Sequence, residues 1–313
     1  MELVDVIIIG GGPAGLNAAV VLGRCRRSVL LFDTESYRNK SSHGMHNYLT
    51  RDHVDPVEFI KICHEELKKY GVQRITKRIV NARKNDEGYF VAVDSEGNNY
   101  YSKKLLVATG LMDNLPKIPG FEKYYGKSIF HCPYCDGWEV RDKRIGVYAR
   151  NKNGWELALA LKGWTDKVVL YTDGKQTVKP SQMEQLMAND ITVVTMPIER
   201  VEGNEHLETI VFKNGTTAPV DAIFFVNGFT QQCNLAEAFG CEMTNKGVVK
   251  ANKMQQTNIE GLYVAGDAAR DMHFVVVAAA EGAKAGVSIN KELQHQVTMA
   301  NVEKVAETAV VGI

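Results

Sequence analysis

Two cysteines stand two residues apart in Cys132-Pro133-Tyr134-Cys135, and an acid, Asp136, follows directly. A C-x-x-C spacing brings two thiols close enough to close a small disulfide ring. It also tends to lower the pKa of the first thiol, and the thiolate is the reactive form. Asp136 is placed to take and return the proton that thiol exchange moves. Beside Gly137 it also fits a helix N-cap, and the two uses are compatible. The rival reading of C-x-x-C is half of a zinc site. Structural zinc takes four ligands in paired clusters, and the chain has neither a second C-x-x-C nor a spaced Cys/His pair, so no metal site is assigned. A merely structural disulfide does not suit a reducing compartment. The other four cysteines, Cys25, Cys63, Cys233 and Cys241, are scattered and read as small buried hydrophobes.

A second chemical pattern is Gly10, Gly12 and Gly15, spaced G-x-G-x-x-G. It needs a strand before it and a helix after it to mean anything. Leu3–Ile9 supplies a short β-branched run, Leu16–Leu22 a small-residue helix, and Val29–Phe32 a second buried strand ending at Asp33. Gly10 permits the tight turn, Gly12 lets a pyrophosphate approach bare backbone, and Gly15 lets helix pack on strand. The helix N-terminus then offers unpaired N–H groups and a positive dipole end. Asp33, about 20 residues on, can accept hydrogen bonds from a ribose.

The remaining elements must hold these two patterns. Asp55-Pro56 opens a helix that runs to Tyr70. A β-rich stretch spans Ile75 to Tyr101, with turns at Asp86-Glu87-Gly88 and Ser95-Glu96-Gly97-Asn98. Leu105–Gly110 is another buried strand ending at glycine. A second strand–helix–strand unit follows in Arg144–Ala149, Gly154–Leu161 and Lys167–Tyr171. Ile259–Asp267 then meets a Gly-Asp turn, and a small-residue helix follows through Ala278 to Ile289. The expected fold is α/β: two Rossmann-like three-layer nucleotide-binding domains, the second inserted into the first. Residues 1–113 and 244–313 form the first domain, and 114–243, carrying Cys132 and Cys135, the second.

Bulk properties exclude several classes. The chain has 313 residues, 45% of them hydrophobic, which suits about two ordinary domains rather than disorder. Lys+Arg and Asp+Glu are both 37, so nothing advertises a nucleic-acid or membrane-surface partner. No run of 18 apolar residues is present, and the first strand begins close to Met1, which leaves no room for a signal peptide. A cytoplasmic location is expected.

Four landmarks in order resemble the low-molecular-weight thioredoxin reductases, within the FAD-dependent pyridine nucleotide-disulfide oxidoreductases. They are Gly10–Gly15, Ala108-Thr109-Gly110, Cys132–Gly137 and Thr257–Asp267, and the resemblance covers essentially the whole chain. It implies FAD as cofactor, with Gly10, Gly12, Pro13, Ala14 and Gly15 at its pyrophosphate and Asp33 or Glu35 at its adenosine ribose. Asn47 would lie near the isoalloxazine, Asp267 would bond the ribityl chain, and Thr109, Gly110 and Gly266 complete the set. It also implies that Cys135 exchanges electrons with the flavin, that Cys132 meets the substrate in a mixed disulfide, and that the protein is a homodimer. His43, His46, His131 and His273 are further candidates for proton transfer, His273 foremost. The reductases carry Arg-Gln near the flavin where this chain has His273-Phe274, which puts flavin tuning in doubt. Tyr37-Arg38-Asn39, His43, His46, Asp52, Asp55-Pro56, Glu58-Phe59 and Tyr171-Thr172-Asp173-Gly174 resemble the dithiol oxidases of gliotoxin-like and depsipeptide natural products.

The reductase pattern breaks in the middle segment. Its glycine-rich turn reads Ala149-Arg150-Asn151 here, so side chains occupy places where a pyrophosphate needs bare backbone. Its His-Arg-Arg reads Thr172-Asp173-Gly174, which removes two cations and adds an anion where a 2′-phosphate would sit. The NADPH site is therefore expected to be lost. Asp173 on an NADH ribose, or Arg150 and Lys152 on phosphates, would be the routes by which a nicotinamide still bound. Three readings follow. The first is a dithiol oxidase that passes electrons from a small dithiol through Cys132, Cys135 and FAD to oxygen. The second is a reductase of a thioredoxin-like protein with an unusual donor, ferredoxin or weakly bound NAD(P)H. The third is a flavoprotein redox sensor. Tyr134 and Trp138 beside the pair fit a lipophilic or peptidic dithiol, and fit buried packing equally.

Overall fold

A computed structural model of the chain describes residues 3–311. It divides into two compact units. The first comprises the chain up to Arg38, Val57–Met112 and everything from Gln231 onward; the second comprises Asn39–Pro56 and Asp113–Thr230.

In the first unit, Leu3–Ile9 (β1) leads into the helix Pro13–Arg24 (α1) and then into Val29–Phe32 (β2). β1 is central because its side chains are apolar on both faces. Val4, Ile7 and Ile9 enter one core with Phe32, Leu105 and Val264, while Val6 and Ile8 enter another with Ala18, Leu22 and Leu31. That two-sided burial is what a parallel strand between two layers requires. β1 pairs in parallel with β2 from Val6↔Val29 to Ile9↔Phe32, and with Asn99–Val107 from Leu3↔Tyr101 to Ile9↔Val107. The strand Asn99–Val107 serves two neighbours on its far edge. Its first half pairs antiparallel with Phe90–Asp94, and its second half pairs in parallel with Leu262–Val264. Gln73–Ile75 and Ile79–Lys84 close the two ends of the sheet. One face is covered by α1 and the helix Val275–Val311, through Ala14, Ala18, Leu22, Ala285, Ile289 and Leu293. The residues Leu235, Ala236, Cys241 and Val249 pack on the other face. The sequence reading grouped residues up to 243 with the middle segment, whereas these side chains lie in the first unit's core.

The second unit repeats the plan. A five-stranded parallel sheet runs in the order Thr192–Val194, Val168–Tyr171, Ile145–Tyr148, Ala222–Phe225, Ile129–Phe130. Ile145, Val147, Leu170 and Phe224 face a core shared with Ala158 and Leu161 of the helix Gly154–Leu161. Tyr148, Tyr171, Ile223 and Phe225 face the opposite way, toward Ile198, Ile210 and Phe212 of the antiparallel strands Ile198–Glu202 and Thr209–Phe212. The segment Asn39–Pro56 folds with this unit and is closed on itself by paired backbone bonds, Met45 N–H to Val54 C=O and His53 N–H to Met45 C=O, both 2.8 Å.

Two elements exceed their sequence signals. α1 starts at Pro13 rather than Leu16, since proline at the first helical position sacrifices only an N–H that has no intrahelical partner. The helix expected over 278–289 runs from Val275 to Val311, its apolar face fading after Leu293. No described helix is long and apolar enough to cross a membrane.

Candidate redox site and nucleotide cradle

Cys132 has extended backbone and caps a four-residue helix, Pro133–Asp136. The local sequence dictates this: Pro133 fits the first helical position, and the Cys132 carbonyl accepts the N–H groups of Cys135 and Asp136 at 3.1 and 3.2 Å. One turn of helix therefore carries both sulfurs, each half-buried. The Cys132 thiol is held below its ordinary pKa. A hydrogen bond with the Cys135 side chain is the main cause, helped by the N–H groups of Cys135 and Tyr134, while burial and the Asp136 charge oppose it. Cys132 is thus the sulfur whose thiolate is stabilised.

Asp136 closes this helix; the N-cap expected of it is Cys132 instead, because the helix begins at Pro133. Burial first, and the Glu139 carboxylate second, push the Asp136 carboxyl up to about 7. A carboxyl poised there exchanges protons at neutral pH. Tyr134 and Trp138 are 66% and 65% exposed, so packing does not explain them. Trp138 instead carries the Arg141 guanidinium over its ring at 4.1 Å, and Tyr134 stands edge-on to Trp164 at 5.6 Å. Asn47 belongs to the same unit. Its side-chain amide donates to the Tyr134 carbonyl at 2.8 Å, and its backbone sits at φ +64°, a conformation asparagine tolerates.

The first unit carries the other candidates. Ile9, Phe32, Val107 and Val264 end in register at one edge of the sheet, where open α/β sheets bind ligands. Gly10 lies at φ +111°, and a Cβ there would meet the Ala108 carbonyl oxygen at 2.3 Å, so only glycine fits. Gly12 is the opposite case: a Cβ there would meet nothing within 4 Å. Gly12 caps α1 without any side-chain hydrogen bond, and the first turn holds no acid. Bare backbone, open space and uncapped N–H groups at Ala14 and Gly15 form a cradle suited to the diphosphate of a dinucleotide such as FAD. Gly266 faces Ala14, a Cβ there coming within 2.9 Å of its side chain, so the Gly266-Asp267 turn sits against the same helix end. Thr109 and Gly110 follow the Ala108 that abuts Gly10. Asp33 is buried and accepts from the Glu35 N–H at 2.9 Å and from the Tyr37 hydroxyl; each oxygen retains acceptor capacity for a ribose. Glu35 is turned outward to Arg74, at 2.7 Å. Asp267 is paired with Arg38 at 3.0 Å, a partner the sequence reading did not name. His273 lies in this unit, a ring nitrogen 3.0 Å from the Arg270 carbonyl. Of the scattered cysteines, Cys241 is buried as expected, but Cys25 is exposed, since it sits at the surface end of α1.

In the second unit the turn Ala149–Asn153, where the reductases carry glycines, makes hydrogen bonds within its own chain. The Asn151 amide donates to the Val226 carbonyl at 2.8 Å, and its oxygen accepts the Asn153 N–H at 3.0 Å. Ala149 is fully buried. Asp173 accepts the Tyr148 hydroxyl at 3.1 Å and the Ile198 N–H at 2.8 Å, with Arg150 3.7 Å away. Arg150 is thereby drawn to a carboxylate of its own chain.

The comparisons with known proteins agree with this architecture. A family model described as pyridine nucleotide-disulphide oxidoreductase matches residues 4–282. The thioredoxin reductase tcpT of Claviceps purpurea is 31% identical over 280 residues, covering 85% of this chain and 87% of its own. The thioredoxin reductase sirT of Leptosphaeria maculans is 27% identical, with coverages of 92% and 94%. Among solved structures, HlmI superposes with a TM-score of 0.94 at 30% identity, over 98% of this chain and 97% of its own. A putative thioredoxin reductase, TrxB, from Bacillus anthracis gives 0.89 at 32% identity, over 94% and 99%. The family is one whose members typically bind FAD. With its doubled nucleotide fold, this chain belongs to the pyridine nucleotide-disulphide oxidoreductases: it is a flavin-dependent disulfide oxidoreductase of the thioredoxin-reductase-like kind, in the company of the gliotoxin-type dithiol oxidases.

Proposed function

We propose that the chain is a dithiol oxidase that closes a disulfide in its substrate and delivers the electrons to oxygen without a nicotinamide. The observation that carries this reading is the turn of the second unit, where Ala149, Arg150 and Asn151 replace bare glycine backbone, the Asn151 amide bonds the Val226 carbonyl, and the Asp173 carboxylate accepts from Tyr148 and Ile198 of its own chain.

A substrate thiolate attacks the Cys132 sulfur of the Cys132–Cys135 disulfide, and Cys135 leaves as thiolate. The second substrate thiol then attacks the mixed disulfide, forming the product disulfide and releasing Cys132 as a stabilised thiolate. Asp136 takes the proton of the first substrate thiol, passes it to the departing Cys135 thiolate, and so is ionised again to take the proton of the second. FAD, when bound, would supply the two-electron acceptor for the reduced cysteine pair, with oxygen as the final acceptor and hydrogen peroxide as the product. In this reading Gly10, Gly12, Pro13, Ala14, Gly15, Asp33, Glu35, Asn47, Thr109, Gly110, Gly266 and Asp267 hold FAD, and His273 carries protons. The exposed Tyr134 and Trp138 favour a small lipophilic or peptidic dithiol over a thioredoxin-like protein as substrate. The working form is a cytoplasmic homodimer.

Oxygen uptake tests the proposal. FAD-loaded protein given a small dithiol and no nicotinamide is expected to consume one O2 per disulfide formed, with peroxide as product. Absence of uptake with every dithiol tried, together with turnover on addition of NADPH, NADH or reduced ferredoxin, would put a reductase in its place.

A further inference from the structure

We propose that His46, His53 and Glu139 form a binding site for a divalent transition-metal ion of the zinc class, with Asp52 orienting His46. Each residue offers one donor atom, and these atoms all lie within 4.8 Å of one another. All belong to the second unit. His46 and His53 come from the closed segment between Asn39 and Pro56, and Glu139 stands three residues beyond Asp136.

The spacing is what distinguishes a ligand set from an ordinary ion-pair cluster. Nε2 of His46 lies 3.6 Å from Glu139 Oε1, and Nδ1 lies 3.6 Å from Asp52 Oδ1. Both separations exceed a hydrogen bond, which would draw charged partners to about 2.7–2.9 Å. The Nε2–Glu139 separation instead approaches the roughly 3.3 Å between two ligands on a tetrahedral zinc with bonds of about 2.0–2.1 Å. His53 and Glu139 are both exposed, so packing does not lock either side chain at the 4.8 Å separation.

The surroundings supply the outer support that metal-bound histidines need. Asp52 lies 3.6 Å from the far nitrogen of His46, within a small rotation of a hydrogen bond to it, and is itself fixed by the Asn47 N–H at 2.9 Å. His53 is held at φ +66° by the backbone pairing of Met45 with Val54, which brings its ring to 5.3 Å from that of His46. Two imidazoles and one carboxylate are a borderline, zinc-type donor set, and three protein ligands leave a fourth position for water or for an incoming thiolate. The Asn47 amide ties this segment to the Tyr134 carbonyl, so the open position belongs to the same compact unit as the Cys132–Cys135 pair.

The test is zinc affinity, measured by competition with a chromophoric chelator on FAD-loaded protein in which Cys132→Ser and Cys135→Ser remove the competing thiols. One zinc per chain is expected. His53→Asn keeps the left-handed backbone accessible while removing the imidazole, and Glu139→Gln removes the carboxylate. Each should weaken binding at least tenfold, while His295→Ala on the long C-terminal helix leaves it unchanged. No stoichiometric binding, or equal affinity in the parent, His53→Asn and Glu139→Gln, would overturn the proposal.

Discussion

Tyr148 donates its hydroxyl to the Asp173 carboxylate at 3.1 Å, joining the ends of two neighbouring parallel strands in the second unit. Burial, followed by the Asp173 charge, pushes the Tyr148 phenol up to about 12, so this bond persists through the neutral range. Asp173 also takes the Ile198 N–H. Each Asp173 oxygen thus already holds one bond of its own fold, with Arg150 3.7 Å away, and in the proposed function these partners compete with a ribose.

The proposed function predicts that nicotinamide dinucleotides bind poorly. Titration of the FAD-loaded protein with NADPH or NADH, followed by tryptophan fluorescence, should show no saturation below the millimolar range. A saturable micromolar Kd would mean the filled turn opens.

Gly10 and Gly12 should separate fold from cofactor. Gly10→Ala drives a Cβ into the Ala108 carbonyl at 2.3 Å and demands φ +111° of an alanine, so it should cost several kcal/mol, on the order of other large backbone conflicts. Gly12→Ala meets open space and should cost the apo protein no more than about 1 kcal/mol, the usual scale for an N-cap change. Its flavin content should nevertheless fall sharply, because the methyl occupies the phosphate approach. Thermal melts and the flavin-to-protein absorbance ratio read the two effects. Full flavin retention in Gly12→Ala would displace the cradle.

Asp136 should govern the pH profile. Serving as base, it must be ionised, so the dithiol half-reaction should rise through about pH 7 in the parent. Asp136→Asn should lose that limb and run about 10²–10⁴-fold slower, the usual contribution of a positioned acid or base. Stability carries an independent signature. The folded carboxyl titrates near 7 against an ordinary 3.8, so the stabilisation is present below pH 3.8 and is lost as pH rises to about 7. Asp136→Asn removes this loss. Its melting temperature should therefore gain on the parent between pH 4 and pH 7 and then hold a constant lead, and a pH-independent difference would show the group is not buried.

The two cysteines should fail differently. Cys132→Ser and Cys135→Ser should both abolish turnover with flavin still bound. Cys135→Ser alone should leave a thiol that traps a substrate disulfide as a mixed adduct, since the stabilised thiolate is Cys132. Mass spectrometry after exposure to an oxidised small disulfide reads the adduct. Faster trapping by Cys135 in the Cys132→Ser protein would reverse the assignment.

How much of this was legible in the chain depends on range. The Leu3–Ile9 run, the glycines after it and the C-x-x-C announce themselves, because strand period, turn chemistry and sulfur spacing are local properties. The absence of glycines at Ala149-Arg150-Asn151 was equally readable, and the structure adds the hydrogen bonds that fill the gap. What the sequence hides is convergence. Nothing in the irregular segment Asn39–Pro56 shows that it folds with the redox pair, nor that Glu139 arrives beside His46. The Asp136 shift depends on burial, which has no local signal, and its N-cap reading failed because Pro133 fixed the helix start three residues earlier. Tyr134 and Trp138 left packing and exposure equally open until the fold placed both at the surface.

The central claim is that a dithiol alone reduces the enzyme. Mixing the FAD-loaded protein anaerobically with a small dithiol, and separately with NADPH and NADH, while following the visible flavin band, addresses it in one experiment. Bleaching by the dithiol only, with the colour restored on admitting air, is the expected result. Rapid bleaching by NADPH or NADH, with none by the dithiol, would contradict the account and make the chain a reductase.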